Sequence, residues 1–189
     1  MRQIIFIDRD GVINRDPGGW TEHSYVTRWE DFHFLEGSLG ALKRLSDRGY
    51  EIAIVSNQAG INKGYFTPAQ LGAINEKMLK EMSEYGIKIR SVNYCPHRNE
   101  DKCDCRKPRT GLLKKAAAGL KVKFDEIYMI GDGRTDIEAG KEIGCKTILV
   151  LSGKSGSMDV GEWKVKPDYI KRDLKEAVDF MLQQEVKNG

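Results

Sequence analysis

The sequence of residues 4–12 is Ile4-Ile5-Phe6-Ile7-Asp8-Arg9-Asp10-Gly11-Val12, and it carries more information about the fold than any other stretch. Four consecutive apolar residues predict a short buried strand, which stops at two aspartates spaced i, i+2. Ligands of open α/β sheets bind at the carboxyl ends of the strands, so Asp8 and Asp10 would lie at a binding site. Two carboxylates there could hold Mg²⁺, or one could attack phosphorus while the other transfers a proton. A strand that simply ends in an acidic turn is the structural alternative.

The composition indicates an ordinary globular chain. Its 189 residues, 1–189, suit a single domain with a proper hydrophobic core. The net charge of +3 is too small to indicate a nucleic-acid partner. No apolar run approaches the roughly 18–20 residues of a membrane helix, and no signal peptide opens the chain. We therefore expect a cytoplasmic monomer that binds neither membranes nor nucleic acid.

Strand and helix patterns alternate along the whole chain. Helices are marked by Leu39–Leu45, by the cap Thr67 with a stripe from Leu71 to Tyr85, by Leu112–Leu120, by Thr135–Ile143 and by Leu174–Leu182. Strands are predicted over residues 3–8, Glu51–Val55, Ile89–Tyr94, Ile127–Ile130 and Thr147–Leu151. This alternation predicts an α/β fold with a parallel, doubly wound, Rossmann-like sheet.

Two long irregular segments interrupt this alternation. Residues 14–35 are rich in glycine and tryptophan, and residues 95–109 are polar. Loops of this length inside a compact domain are usually functional. We expect both segments to shape a substrate pocket.

Three further signals lie at or near the ends of predicted strands. Ser56 follows the second strand, Lys107 lies in the polar loop, and Asp132 follows the fourth strand. Each has a structural explanation when it is considered alone: a turn, a solvated lysine and a helix cap. Asp136 could likewise compensate the dipole of the next helix. Together with the first acid pair, they form an ordered set of catalytic side-chain types.

This ordered set resembles the haloacid dehalogenase-like phosphatases over nearly the whole chain. The resemblance implies that Asp8 is the nucleophile that forms an aspartyl-phosphate, and that Asp10 is the general acid and then the base. It implies that Ser56 and Lys107 stabilise the transferring phosphoryl group. It also implies a Mg²⁺ site made by Asp132, a carboxylate oxygen of Asp8 and the backbone carbonyl of Asp10. These roles suit phosphoryl transfer, which depends mostly on positioning and charge neutralisation.

A second metal site is predicted inside the polar loop. Cys95, His97, Cys103 and Cys105 offer three thiolates and one imidazole. This spacing can close a tetrahedral Zn²⁺ site without an open position, which is typical of a structural site. Disulfides are the alternative, but they are rare in the reducing cytosol, where we expect this protein to be. Zinc would hold Arg106 and Lys107 at the mouth of the active site.

The cysteine loop joined to Arg106-Lys107-Pro108 resembles one subgroup of these phosphatases. That subgroup contains D-glycero-D-manno-heptose 1,7-bisphosphate phosphatases and histidinol-phosphate phosphatases, whose caps are small or absent, so we expect a capless fold with a zinc-stabilised loop. The segment from Asn57 to Thr67 resembles the heptose enzymes. The five-residue gap between His97 and Cys103 resembles the histidinol enzymes, and Gly133 stands where the heptose enzymes commonly have lysine.

The substrate expected from this resemblance is a small sugar bisphosphate, cleaved at the 7-phosphate of D-glycero-D-manno-heptose 1,7-bisphosphate. Histidinol phosphate is the alternative substrate, and a non-catalytic zinc-binding or phosphoacceptor module is the alternative from another class. His23 and His33 have no partner pattern and receive no role. We expect substrate contacts from Asp8, Arg9, Asp10, Asp16, Gly19, Ser56, Asn57, Gln58, Ala59, Lys63, Arg106 and Lys107.

Overall fold

A computed structural model describes residues 3–156 and 159–188, with side chains up to residue 185. Its strands are β1 (Ile4–Ile7), β2 (Glu51–Asn57), β3 (Ile89–Cys95), β4 (Tyr128–Gly131), β5 (Lys146–Val150) and β6 (Tyr169–Lys171). All paired neighbours are parallel, and the order across the sheet is β3-β2-β1-β4-β5-β6. The predicted doubly wound α/β fold is therefore confirmed.

Helices cover both faces of this sheet. They are α1 (Ser38–Asp47), α2 (Pro68–Glu84), α3 (Gly111–Ala116), α4 (Arg134–Ile143) and α5 (Leu174–Asn188). Helices α1, α2 and α5 pack in one core, and α3 and α4 pack in the other. In β1, Ile5 and Ile7 enter the first core, whereas Ile4 and Phe6 enter the second. Because successive side chains of a strand point to opposite faces, a strand buried on both sides must be apolar throughout.

The beginning of α2 follows the sequence prediction closely. Gln70 N–H donates to the Thr67 hydroxyl at 3.2 Å, and Thr67 N–H donates to the Gln70 side-chain oxygen at 2.8 Å. This reciprocal pair is a capping box, and Pro68 occupies the first helical position, where its missing N–H has no cost. The prediction that Tyr85 belongs to the buried stripe of this helix was wrong, because Tyr85 follows the last helical residue and is 52% exposed.

Other differences from the predicted elements also have local causes. Strand β6 was not predicted, since it has only three residues and its central Ile170 is exposed at the sheet edge. Helix α3 ends at Ala116, so Leu120 packs beside the core from a turn and not from the helix. Strand β2 continues to Asn57, which places Ser56 inside the end of the strand.

The sheet order determines where a ligand can bind. Strands β1 and β4 are neighbours, and the chain winds outward from them in opposite directions, which creates a crevice beyond their carboxyl ends. The segments at residues 8–37 and 96–110 lie around this crevice. Each contains no helix longer than three residues, so neither forms a separate cap. In the part of the chain that the structure describes, no helix is both long and apolar enough to cross a membrane.

Candidate active site

Three carboxylates meet in the crevice between β1 and β4. Asp8 directly follows β1, and its N–H donates to the carbonyl of Ile130 in β4 at 2.9 Å. Asp132 directly follows β4, and Asp136 lies in the first turn of α4. Carboxylate oxygens of the three aspartates lie within 4.8 Å of one another, and all three side chains are buried. Asp8 and Asp132, which were both predicted to lie at strand ends, therefore belong to one cluster of carboxylates.

Lys107 links two of these carboxylates. Its ammonium lies 2.9 Å from Asp8 Oδ1 and 2.6 Å from Asp136 Oδ1, and it donates to the carbonyl of Val55 at 2.7 Å. The Asn57 side chain fixes the Lys107 backbone, because its amide donates to Lys107 O at 3.0 Å and its oxygen accepts from Lys107 N–H at 3.1 Å. The end of β2 thus positions the lysine that sequence analysis assigned to the phosphoryl group.

When they are ionised, the three carboxylates of Asp8, Asp132 and Asp136 carry more negative charge than the single ammonium of Lys107 can offset. Burial raises the pKa of Asp8 to about 6, with Asp136 and Asp10 adding to the effect and Lys107 opposing it. Burial, Asp8 and Asp136 raise the pKa of Asp132 well above its usual value. Although burial disfavours its charged form, Asp136 and Asp8 raise the pKa of Lys107. A divalent cation would stabilise the ionised carboxylates, so the donor set fits Mg²⁺.

The surroundings of the three aspartates distinguish their roles. One oxygen of Asp132 accepts from Lys154 N–H at 2.7 Å, and glycine backbone packs so closely on this carboxylate that a Cβ at Gly153 would overlap it. Asp136 uses one oxygen for Lys107 and the other for Gly133 N–H at 3.1 Å. Asp8 and Asp132 are therefore the better candidates to hold a metal, whereas Asp136 supports Lys107. Sequence analysis missed this role of Asp136.

Asp10 is held in a separate hydrogen-bond network. The Arg9 guanidinium donates to both of its oxygens, with Nη2 at 3.0 Å from each. Asn14 donates to one oxygen at 2.9 Å and Gln58 to the other at 2.8 Å. Burial opposes ionisation, but Arg9 and these hydrogen bonds outweigh it and lower the pKa of Asp10. The side chain is therefore a carboxylate, the form that a general base requires.

A cavity of about 460 Å³ opens above these groups. Of the expected substrate contacts, it is lined by Asp8, Asp10, Ser56, Asn57, Lys63, Arg106 and Lys107. A larger surface groove of about 890 Å³, lined in part by Arg109 and Lys141, contains none of these side chains. The smaller cavity is thus the candidate active site.

The remaining expected contacts lie behind or beside that cavity. Arg9 and Gln58 are fully buried and support Asp10, and Gln58 also donates to the Ser56 hydroxyl at 2.8 Å. Ala59 is buried in the loop after β2. Asp16 accepts from Gly18 N–H at 2.6 Å, and Gly19 is exposed with φ of 81°. Neither Asp16 nor Gly19 is among the residues that line the cavity.

The cavity also contains side chains that sequence analysis did not assign. His23 and Tyr25 from the first long loop line it, together with Arg134 and Lys154. The His23 ring stacks on Tyr65, with centroids 4.1 Å apart and planes at 14°. No spacing in the sequence connects His23 to a residue 42 positions later, so only the fold reveals this contact.

The cysteine loop forms a second cluster of donors. Cys95 Sγ lies 3.6 Å from Cys103 Sγ and 2.9 Å from Cys105 Sγ, and Cys103 and Cys105 are 3.5 Å apart. The His97 Nδ1 atom faces Cys95 Sγ at 3.5 Å and Cys105 Sγ at 3.3 Å. Tetrahedral zinc with Zn–S bonds of about 2.3 Å separates its sulfurs by roughly 3.8 Å. All three sulfur separations are too long for disulfides, and two of them, at 3.5 and 3.6 Å, are close to the separation expected around zinc. The four donors converge on one point, which fits a zinc site.

The cluster is also joined to the active-site rim. Arg106 donates to the Asn99 side-chain oxygen at 2.7 Å and to the carbonyl of His97 at 3.2 Å. Lys107 follows Arg106 directly, and both line the cavity. The conformation of the cysteine loop therefore determines where these two cations lie.

Comparison with known proteins identifies close relatives over nearly the full chain. A Haemophilus ducreyi protein named D-glycero-β-D-manno-heptose-1,7-bisphosphate 7-phosphatase is 37% identical over 188 residues, which cover 95% of this chain and 98% of the relative. A Pseudomonas aeruginosa protein of the same name is 33% identical over 182 residues, covering 96% of this chain and 99% of the relative. The HAD-hydrolase-like family matches residues 104–177.

Solved structures of phosphatases with this substrate in their names are also similar to this chain. D,D-heptose 1,7-bisphosphate phosphatase from B. bronchiseptica, crystallised with magnesium and phosphate, superposes with a TM-score of 0.87 at 30% identity. The match covers 96% of this chain and 99% of that one. The corresponding Burkholderia thailandensis enzyme superposes with a TM-score of 0.71 at 26% identity, with the same coverage.

Proposed function

The chain belongs to the haloacid dehalogenase-like hydrolases, in the family of D-glycero-β-D-manno-heptose-1,7-bisphosphate 7-phosphatases, and on that premise we propose that it removes the 7-phosphate of this sugar bisphosphate. The observation that carries the proposal is the distribution of charge in the cavity. Carboxylates and Lys107 form its floor, and the other charged side chains that line it are cations. A floor of this kind suits phosphoryl transfer, and a cationic rim suits a second phosphate.

The proposed reaction begins with Asp8. Its carboxylate oxygen attacks phosphorus, the P–O bond to the sugar breaks, and an aspartyl-phosphate forms. Asp10 gives its proton to the departing sugar oxygen, which leaves as an alcohol. A substrate phosphate beside Asp10 adds negative charge and raises the pKa of this carboxyl, which supports its protonation before transfer.

The second half of the reaction restores Asp8. Asp10, now a carboxylate, takes a proton from water, and the resulting oxygen attacks the aspartyl-phosphate to release inorganic phosphate. Gln58, Asn14 and Arg9 keep the Asp10 carboxyl group directed at the cavity in both halves. Ser56 and Lys107 bind the phosphoryl oxygens throughout.

Two metals have different parts in this proposal. Mg²⁺ held by Asp8, Asp132 and the backbone carbonyl of Asp10 would neutralise charge on the phosphoryl group. Zn²⁺ held by the four cysteine-loop donors would be structural, because all four of its positions are filled by protein. We further propose that the protein is a cytoplasmic monomer that binds neither membranes nor nucleic acid.

Histidinol phosphate is the competing substrate. Its amine would need a carboxylate away from the cleavage site, but the carboxylates that line the cavity are those of the catalytic cluster and Asp10. Ala59 contributes no charge. The rim instead offers Lys63 and Arg106, which would repel an ammonium group.

A kinetic panel tests the proposal. We expect kcat/KM for heptose 1,7-bisphosphate to exceed that for histidinol phosphate. Arg106→Ala should lower kcat/KM for the bisphosphate by about 10- to 100-fold and change an aryl phosphate much less, because only the bisphosphate offers the second charged contact. Arg98→Ala, on the same loop but outside the cavity lining, is the matched control. A preference for histidinol phosphate, or equal effects of Arg106→Ala on both esters, would refute the heptose assignment.

A further inference from the structure

Arg9 stands between the two catalytic aspartates in the sequence, yet its side chain is only 1% exposed and does not line the cavity. Its guanidinium donates to the Asp10 carboxylate from Nε at 3.2 Å and from Nη2 at 3.0 Å. The third nitrogen, Nη1, is buried and has no hydrogen-bond partner among residues 3–156 and 159–188. Hydrogen bonds therefore fix one edge of the guanidinium, and its remaining freedom must be limited by packing.

Phe32 is the aromatic residue that packs against this guanidinium. The Arg9 Cζ atom lies over the Phe32 ring, 6.0 Å from its centroid, at the outer limit of cation–π attraction. Trp29 stacks on Phe32 with centroids 5.0 Å apart and planes at 10°. Phe34 meets Phe32 edge to face, also at 5.0 Å. Phe32 is 5% exposed and belongs to the core shared by α1, α2 and α5, so its ring has little room to move.

The backbone of the loop after β1 fixes Phe32 beside the catalytic turn. Segments 13–15 and 33–35 are joined by two backbone hydrogen bonds, of 2.8 and 2.9 Å. Asn14, within the first segment, donates to the Asp10 carboxylate at 2.9 Å. One short ladder therefore positions a direct partner of Asp10 together with the aromatic ring that packs against its other partner.

We propose that Phe32 is a positioning residue for the general acid and base Asp10. Its ring, held by Trp29, restricts the Arg9 guanidinium, which in turn fixes the direction of the Asp10 carboxyl group. The inference rests on the aspartyl-phosphate step of the proposed function, in which Asp10 gives its proton to the departing oxygen. A displacement of about 1 Å at such a group can cost roughly 10²-fold in rate. A ring that touches no substrate can therefore act on the reaction.

The test compares two aryl esters, phenyl phosphate and 4-nitrophenyl phosphate, which differ in their need for a proton donor. Phenoxide is a poor leaving group and needs the proton, whereas 4-nitrophenoxide is a good leaving group and needs it little. The value of kcat/KM covers the steps up to departure of the phenol. The ratio of kcat/KM for phenyl phosphate to that for 4-nitrophenyl phosphate therefore falls when the proton is delivered less well. A general loss of folded protein lowers both values together and leaves the ratio unchanged.

The variants remove the two supports of Asp10 separately. Arg9→Met should lower this ratio by about 10- to 100-fold, which is part of the roughly 10²–10⁴-fold that a general acid contributes. Phe32→Leu should lower it by about 2- to 10-fold, because the guanidinium remains but is less restricted. Phe180→Leu is the matched control, since this ring packs on the same core but contacts Tyr169 and not Arg9. The control should keep the wild-type ratio within about twofold.

A double variant tests whether Phe32 acts through Arg9. In the Arg9→Met background, Phe32→Leu should change the ratio by less than about twofold. If Arg9→Met does not fold, Arg9→Lys replaces it, because lysine keeps the charge but loses the two-pronged contact with Asp10. An unchanged ratio in folded Phe32→Leu, or an equal fall of the ratio with and without Arg9, would overturn the inference.

The outcomes also separate this inference from the proposed function. Hydrolysis of both aryl esters but not of heptose 1,7-bisphosphate would overturn the heptose assignment and leave the role of Phe32 standing. Release of phosphate from none of the three esters by the wild-type protein with Mg²⁺ would overturn both.

Discussion

Asp8 is both the proposed nucleophile and one of three buried carboxylates that repel one another. Replacing it with asparagine removes a negative charge but keeps the size of the side chain, and Lys107 still has Asp136 as a partner at 2.6 Å. Asp8→Asn should therefore fold with unchanged or higher stability in the absence of metal. Its phosphatase turnover should fall below detection, because an amide cannot form the aspartyl-phosphate. A folded Asp8→Asn protein with substantial turnover would contradict the mechanism.

Asp136 has a different role, since its two oxygens are occupied by Lys107 and by a backbone N–H. Removing one partner of a buried charge leaves the other partly uncompensated. Asp136→Asn should lower the free energy of unfolding by about 1–3 kcal/mol and reduce kcat, because Lys107 loses one of its two carboxylate partners and keeps only Asp8. Urea unfolding and steady-state kinetics would measure both effects. Glu138→Gln, on the same helix but paired with Arg134 near the surface, should change neither by much.

Single residues were predictable where a chain signal marks them. Asp8 and Asp132 end apolar runs, so the sequence already places them at strand ends. Asp136 gave no such signal, because an acid in the first turn of a helix is common and its contact with Lys107 depends on packing between distant segments. His23 was missed for the same reason, since its partner Tyr65 belongs to another loop.

At the scale of elements, β1 and β4 bring ionisable groups together. In the protein without Mg²⁺, the pKa of Asp8 is raised to about 6, so the folded state binds a proton that the unfolded state has released above about 3.8. This contribution to stability is complete below about 3.8 and is lost as pH rises through about 6. Asp132 shifts in the same direction.

Mg²⁺ binding should therefore depend strongly on pH. Below about pH 6 the cation must displace protons from the carboxylates, and we expect its affinity to fall by about tenfold per pH unit for each proton displaced. Calorimetric titration with Mg²⁺ at pH 5, 6 and 7 would show this change and the released protons. Affinity that stays constant between pH 5 and 7 would exclude Asp8 as a ligand with a raised pKa.

The cysteine loop is the element whose order we assign to zinc. Cys103→Ser should abolish binding of one zinc per chain and lower the free energy of unfolding by at least about 2 kcal/mol. Activity should fall at the same time, since Arg106 is hydrogen-bonded to this loop. Cys145→Ala, in the hydrophobic core and outside the group of four converging donors, should keep its zinc in elemental analysis. Full activity in a zinc-free Cys103→Ser protein would contradict a structural role.

The predictability of each element followed its length and burial. Strands β1, β2 and β4 have continuous apolar runs, and α2 begins at a capping residue, Thr67. The three strands and this helix were therefore recognisable in the sequence. Strand β6 has three residues and an exposed centre, and nothing in so short a segment distinguishes a strand from a loop. Helix α3 ends before Leu120 because a turn with Gly119 at φ of 79° follows it.

At the scale of the whole molecule, one sheet order explains both halves of the site. Because β1 lies between β2 and β4, the groups that follow these strands face a common crevice. The cysteine loop extends from β3 and brings Arg106 and Lys107 to the same place. The result is a cavity with carboxylates at its floor and cations at its mouth. The sequence predicted this cavity only in outline, because its depth and the residues at its rim depend on how the loops pack.

The most direct test of the proposed reaction follows heptose 1,7-bisphosphate by ³¹P NMR in the presence of the wild-type protein, Mg²⁺ and zinc. We expect the resonance of the 7-phosphate to disappear and that of inorganic phosphate to grow at the same rate. The 1-phosphate should remain attached to the sugar, held by the cations at the mouth while Asp8 attacks the other end. Loss of the 1-phosphate instead, or no release of phosphate while histidinol phosphate is hydrolysed, would contradict the account.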